Sequence, residues 1–238
     1  MCNIFCNFAA ECVRACAYNI MCDKRIMRFV FASNNSHKLS EVRQIMPSGI
    51  EILSLREIGF ASEIDETGTT LEANSRIKAD AVYSYIRSEV ASGHSVLSDI
   101  DGVFADDTGL EIDALCGQPG VYTARWSGCH GTEQEVFAAN RAKALHELSG
   151  CVNRGAQFRT VVTLITMNGS EEQVRQVEGV VRGCIADAER GEGGFGYDPL
   201  FIPEGYNQTF AELPIRVKNT ISHRARAMEA LKALLDKQ

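Results

Sequence analysis

From Arg28 onward the apolar positions alternate between two spacings, and each change of spacing marks a new element. Phe29-Val30-Phe31-Ala32 is a short apolar run of strand type, followed by the turn and cap formers Ser33-Asn34-Asn35-Ser36. Leu39, Val42, Ile45 and Met46 then recur at helical spacing up to Pro47. Ile50 to Leu55 reads as a second strand. Thr69 with Glu72 has the form of a capping box, opening a helix through Ala73, Ile77, Ala81 and Val82. Ser92 to Asp101 is polar and reads as a surface excursion. Val103–Ala105 and Leu110–Leu115 read as strands on either side of an acidic turn, Asp106-Asp107-Thr108-Gly109. Thr132 with Glu135 is another capping box, ahead of a helix carrying Val136, Phe137, Leu145 and Leu148. Phe158 to Met167 is rich in β-branched residues, Asn168-Gly169 is a hairpin signal, and Gln173 to Ala186 is the return strand. Leu200 to Ile202 is a short strand. Ser222 caps a last helix using Met228, Leu231 and Leu234. Strands and helices mix throughout without regular Rossmann alternation, so the fold class is α/β.

Composition narrows the classes. At 238 residues the chain is long enough for a substantial core, and 45 % hydrophobic with 23 % charged residues excludes wholesale disorder. A net charge of −7 is wrong for duplex nucleic acid, though a local cationic pocket can still hold a small anion. No apolar run reaches the length of a membrane span. Of nine cysteines, Cys116, Cys129, Cys151 and Cys184 are scattered, as reduced and mostly packed thiols would be. The other five, Cys2, Cys6, Cys12, Cys16 and Cys22, crowd the first 22 residues. Cys2/Cys6 and Cys12/Cys16 are each spaced i,i+4, so a helix would put each pair on one face, which leaves a metal or redox cluster open. There is no CxxC pair and no histidine nearby, however. The expectation is a dispensable extension over 1–27, or a start assigned too early with Met27 the alternative, ahead of one domain over 28–238.

Five segments carry candidate chemistry. In Ser33-Asn34-Asn35-Ser36-His37-Lys38, a lysine sits in the first turn of a helix, where the dipole disfavours a cation. It makes sense beside a bound anion; the alternative is a surface lysine on a capped helix. Asp106-Asp107-Thr108-Gly109 follows an apolar strand and suits Mg²⁺, with one of the two carboxylates facing the site and the other structural. The alternative is a plain acidic turn. Glu66 lies in a loop, free to reach a metal, and Asn74 and Lys78 share a helix face. Gly191-Glu192-Gly193-Gly194-Phe195-Gly196-Tyr197-Asp198-Pro199 sets two aromatics and an acid among glycines, so that a ring can stack on a base. Lys218 and Ser222-His223-Arg224 place more cations at a helix N-terminus. The phosphate-loop pattern GxxxxGK[ST] is absent.

Together and in this order, the segments resemble the inosine triphosphate pyrophosphatases, the hydrolases of non-standard purine nucleoside triphosphates. The motifs that carry the likeness are Ser33 to Lys38, Glu66-Thr67-Gly68 with Glu72, Asn74 and Lys78, Ala105 to Leu110, Pro119 to Arg125, Gly193 to Pro199, and Lys218 with Ser222-His223-Arg224. They span about nine-tenths of the chain. Ala73 separates Glu72 from Asn74, where the family pattern has them adjacent. Ser88 to Asp101 is longer than the pattern, and the first 27 residues have no counterpart in it.

The resemblance implies a long mixed sheet with flanking helices, in two lobes around a nucleotide-binding cleft. It implies cleavage of ITP, dITP or XTP to the monophosphate and pyrophosphate, with Mg²⁺, in a cytoplasmic homodimer. Asp107 with Glu66 would hold the metal, and Asp107 would also accept the proton of the attacking water. Lys38 and Lys78 would neutralise phosphate charge, and the Ser33–Lys38 amides would bind it, alongside Thr108. Phe195 would stack on the base, with Gly196, Tyr197, Asp198 and Lys218 around it. A donor from His223, Arg224 or a loop N–H would read the 6-oxo group.

Overall fold

One long antiparallel ladder organises the molecule. The computed structural model describes residues 25–168 and 171–236. Strands β5 (Gly155–Asn168) and β6 (Glu171–Ile185) pair along their whole lengths, and β3 (Gly102–Ile112) runs antiparallel along β5. On the other edge of β3 lies β1 (Met27–Phe31), parallel to it and to β2 (Ile50–Leu53). β4 (Pro119–Gly120) pairs with β3, and β7 (Phe201–Pro203) with β6. The result is a seven-stranded mixed sheet ordered β2-β1-β3-β5-β6-β7, with β4 to one side.

Helices cover it in two places. Side chains alternate along β1: Phe29 and Phe31 point to one face, Val30 and Ala32 to the other. On the first face pack α1 (Ser36–Ile45) and α5 (His223–Leu235), through Val42, Met46, Met228 and Leu231. On the second packs α2 (Leu71–Ala91), through Ala79, Val82 and Ile86. A separate core, built on Leu110, Ile112, Phe158, Val181 and Phe201, lies beside Ala144 of α3 (Glu133–Glu147) and Leu148. These two ends are the two lobes. A short α4 (Ile215–Ile221), which no apolar periodicity announced, precedes α5.

Several sequence expectations shift. Asp106-Asp107-Thr108-Gly109 is not a turn but the middle of β3, paired in register with Val162, Val161, Thr160 and Arg159. An eleven-residue ladder outweighs local turn preference. Gly109 is there for close approach: a Cβ would meet the Gly120 carbonyl oxygen of β4 at 2.9 Å. The strand read over Leu110–Leu115 ends at Ile112, and Asp113–Leu115 is a 3₁₀ turn. The cap of α2 is Thr70, not Thr69; its hydroxyl accepts the Ala73 N–H at 3.2 Å, and Glu72 instead pairs with Arg159. The Thr132/Glu135 capping box and the Ser222 cap stand as read. In α5 it is Leu235, not Leu234, that is buried with Met228 and Leu231. Residues Ser88–Ala91 of the longer stretch extend α2, and none of that stretch lines the main cavity. Met27 already pairs with Ile50, so the fold takes in the end of the stretch read as an extension. Cys116 is exposed and Cys129, Cys151 and Cys184 are half-buried, all free thiols, less packed than expected. The N-terminal cysteine cluster and the turn at Asn168-Gly169 lie outside the described residues or run into them. Among the described residues no helix is long and apolar enough to cross a membrane.

Gly179 tests how closely α5 sits on β6. A Cβ there would fall inside the contact radius of the His223 carbonyl oxygen and the Ala227 amide. Gly179→Ala is therefore expected to lower stability by about 1–3 kcal/mol. The measurement is the urea unfolding midpoint; an unchanged midpoint would mean the helix yields freely.

Candidate active site

A cavity of about 300 Å³ opens between the lobes. Its floor is β3, its near end is the entry to α1, and its far end is the glycine-rich loop with the start of α5. Every site residue read from the sequence lines it except Ser36 and His37. Those two lie in the first turn of α1, on the side that turns away from the cavity.

The entry to α1 is fixed by its own side chains. Asn35 is the N-cap, its Oδ1 accepting the Lys38 N–H at 3.0 Å, and the Ser33 hydroxyl accepts the Asn35 N–H at 3.2 Å. The Lys38 ammonium donates to Asp106 at 2.8 Å. Burial holds Lys38 below its ordinary value despite that carboxylate. The cation that sat badly on the helix dipole thus has a partner within the chain, and it still faces the cavity.

Alternation along β3 separates the two aspartates. Asp106 is fully buried and also accepts from Arg224 Nε at 3.0 Å. Burial pushes its carboxyl up, but Lys38 and Arg224 more than reverse that and hold it well below the usual range. Asp107 faces the cavity. Its Oδ1 accepts from Lys78 Nζ at 3.1 Å, while its Oδ2 is buried with no hydrogen-bond partner. Burial raises the Asp107 carboxyl, against Lys78 and Lys38. Lys78, one α2 face across, also donates to Glu66 at 3.0 Å. Burial pulls Lys78 down, yet Asp107, Glu66 and Asp106 together raise it, so it stays charged.

The far end is a chain of buried ion pairs. Glu41, missed in the sequence, accepts from Lys218 at 2.7 Å and from Arg224. Lys218 also donates to Asp198 at 2.6 Å, and these carboxylates keep it protonated despite burial. Asp198 in turn accepts the Phe195 N–H at 2.8 Å. His223 is buried and stacked on Phe158, with ring centroids 4.6 Å apart. Burial, then Arg224 and Lys218, hold it well below its ordinary value, so it is neutral at pH 7; its Nδ1 has no partner. Tyr197 donates to the Thr123 carbonyl at 3.1 Å.

Other wall residues were missed as well: Thr123, Ala124, Phe137, Asn140 and Phe158. Asn140 had a signal, a polar side chain inside the apolar stripe of α3. Buried, it accepts from Ser127 N at 2.7 Å and donates to Ala124 O at 3.0 Å, which shapes that wall. Glu41 had one too, being three residues past Lys38 and so on the same helix face.

The site also bears on a metal. Asp107 Oδ2 is a buried anionic oxygen without a partner, and Glu66 stands across the shared Lys78 ammonium. Among the described residues no group of three or more His, Cys, Asp or Glu forms a cage. Mg²⁺ takes one or two carboxylates plus substrate phosphates, and this donor set fits that requirement.

Fold and cavity together define a class: an α/β protein whose cleft gathers cations at one end and aromatic rings at the other, as an organic polyphosphate requires. The chain belongs to the Ham1 family, whose model matches residues 29–234. It is 43 % identical over 212 residues to a dITP/XTP pyrophosphatase of Flavobacterium johnsoniae, covering 88 % of this chain and 98 % of that one. To the dITP/XTP pyrophosphatase of Bacillus subtilis it is 43 % identical over 210 residues, covering 87 % and 96 %. The solved Ham1 protein of Staphylococcus aureus superposes with a TM-score of 0.72 at 34 % identity, covering 88 % of this chain and 98 % of that one. The family read from the motifs is borne out.

Proposed function

We propose that this protein hydrolyses dITP, XTP and ITP to the nucleoside monophosphate and pyrophosphate, clearing non-standard purines from the nucleotide pool. The observation that carries the reading is Asp107: a cavity-facing carboxylate, held on one oxygen by Lys78, with its other oxygen buried and unpaired. Asp107 takes the proton of the attacking water. Lys38 and Lys78 bind the phosphate oxygens, with the backbone around Ser33, Asn34 and Asn35 and the Thr108 hydroxyl beside them. Glu66 and Asp107 would hold Mg²⁺, which would offset phosphate charge and make water more acidic. Phe195 stacks on the purine, walled by Gly196, Tyr197 and Asp198. The neutral His223 and the charged Arg224 and Lys218 supply donors for a 6-oxo group, which an adenine amino group cannot match.

The same reading takes the enzyme to be a cytoplasmic homodimer, as the sequence resemblance implies, with the residues ahead of β1 dispensable. Light scattering tests the dimer. The activity test is pyrophosphate release from ITP, XTP, dITP, GTP, ATP and dTTP, with Mg²⁺ and after chelation. Release from the first three, at least about tenfold faster than from ATP and lost on chelation, is expected. Equal turnover of all six would overturn the base-reading assignments and leave the phosphate chemistry.

A further inference from the structure

His37 sits in the segment the sequence assigns to phosphate, yet it does not line the cavity; it reaches Phe195. The two rings stack with centroids 5.2 Å apart and planes inclined by 15°. Phe195 stands between Gly194 and Gly196, both at positive φ (72° and 60°), so the backbone on each side has little intrinsic stiffness. The Asp198 carboxylate fixes the Phe195 N–H, not the ring. Two cations also lie over the ring, Lys218 Nζ at 5.0 Å and Arg224 Cζ at 5.8 Å from its centroid. Of the described aromatic rings near it, Phe137 is tilted by 39° with its centroid at 6.3 Å, and only the imidazole lies near-parallel, so His37 alone sets the tilt of the plane by stacking.

His37 in turn lies beside Glu133. Its Nε2 lies 3.7 Å from Glu133 Oε2, and Asn35 Nδ2 donates to Glu133 Oε1 at 3.5 Å. The first turn of α1, the first turn of α3 and the glycine-rich loop therefore meet at this imidazole. Phe195 is in the cavity wall and His37 is not, so the imidazole backs the ring from the solvent side. His37 is half exposed, and no core packing depends on it.

The geometry points to His37 as a positioning residue: it holds the Phe195 ring in the plane from which it stacks on the purine, and does not itself touch substrate. This rests on the nucleotide reading above. It assigns His37 to base affinity, where its place beside Lys38 in sequence assigns it to phosphate. The two assignments separate on the reaction's two products. Inosine monophosphate carries a base; inorganic pyrophosphate does not.

The experiment is calorimetric titration of the whole chain with each product, for the wild type, His37→Ala and His37→Phe, with unfolding midpoints alongside. His37→Ala is expected to weaken inosine monophosphate by roughly three- to tenfold, the range of one aromatic pair, with pyrophosphate affinity unchanged. His37→Phe, which keeps a flat ring and loses the Glu133 contact, is expected to restore most of the loss. Equal weakening toward both products would make His37 a phosphate ligand and overturn the proposal. So would unchanged affinity for inosine monophosphate in His37→Ala, or failure of the Phe variant to rescue. A wild type that binds pyrophosphate but no inosine monophosphate would overturn the base-site reading itself, a result distinct from any of these.

Discussion

Asp107→Asn is expected to abolish pyrophosphate release while leaving the fold as stable as before, or more so. The loss should be at least about 10³-fold in kcat, since on the proposed function one change removes both the proton acceptor and a metal carboxylate. Stability moves the other way because of where the carboxylate sits. Burial raises the Asp107 carboxyl above its unfolded value. A group that binds its proton more tightly when folded lowers stability as pH rises through the window between the two values, and the whole penalty is present at pH 7. Asparagine carries no such penalty. Lys78 keeps Glu66 as its carboxylate partner, so no cation is stranded. The check is a paired measurement in metal-free buffer: melting temperature against pH, and single-turnover release from ITP with Mg²⁺ restored. A variant that melts lower than wild type at pH 7 would assign Asp107 to structure. One that keeps a tenth of the activity would move the proton acceptor elsewhere.

The sheet and its chemistry were legible to different depths. Binary alternation along Phe29–Ala32 and the β-branched run of β5 were readable because burial on both faces of a sheet imposes them directly. Asp106-Asp107-Thr108-Gly109 was misread as a turn because its residue types favour turns locally. Only pairing with Val162–Arg159, fifty or more residues away in sequence, makes them strand. The same long-range cause hid Glu41. Its partners Lys218 and Arg224 stand 177 and 183 residues further along, and no local spacing announces a carboxylate that closes a buried charge chain. Cap positions slipped by one, from Thr69 to Thr70, because adjacent threonines are equivalent until the chain direction into α2 is known. His37 shows the limit on the other side: sequence placed it in the right segment, and only the turn of α1 tells which way its ring points.

The second large effect concerns Arg224, which sequence placed at a helix N-terminus as though waiting for a ligand. It is 1 % exposed and donates to Asp106, Glu41 and Thr108. Those two carboxylates explain why a cation tolerates the positive end of α5. Arg224→Met removes the shared cation, leaving Asp106 with Lys38 and Glu41 with Lys218. Breaking one side of a buried pair costs about 3–5 kcal/mol; because each acid keeps a lysine, about 3 is expected here. The pH dependence identifies the cause. In the wild type both carboxyls are held below their unfolded values, Asp106 strongly, because Arg224 with Lys38 or Lys218 outweighs burial. Such groups add stability that is complete above the unfolded value, near pH 4, and is lost as pH falls through the folded one. Without the guanidinium the two carboxyls rise and that contribution shrinks. The difference in unfolding free energy between wild type and Arg224→Met should therefore be full at pH 7 and narrow steadily below about pH 4. A gap of constant size from pH 7 to pH 3 would mean that Arg224 stabilises through packing and its guanidinium over the Phe195 ring, 5.8 Å from the centroid, with the ion pairs contributing nothing net.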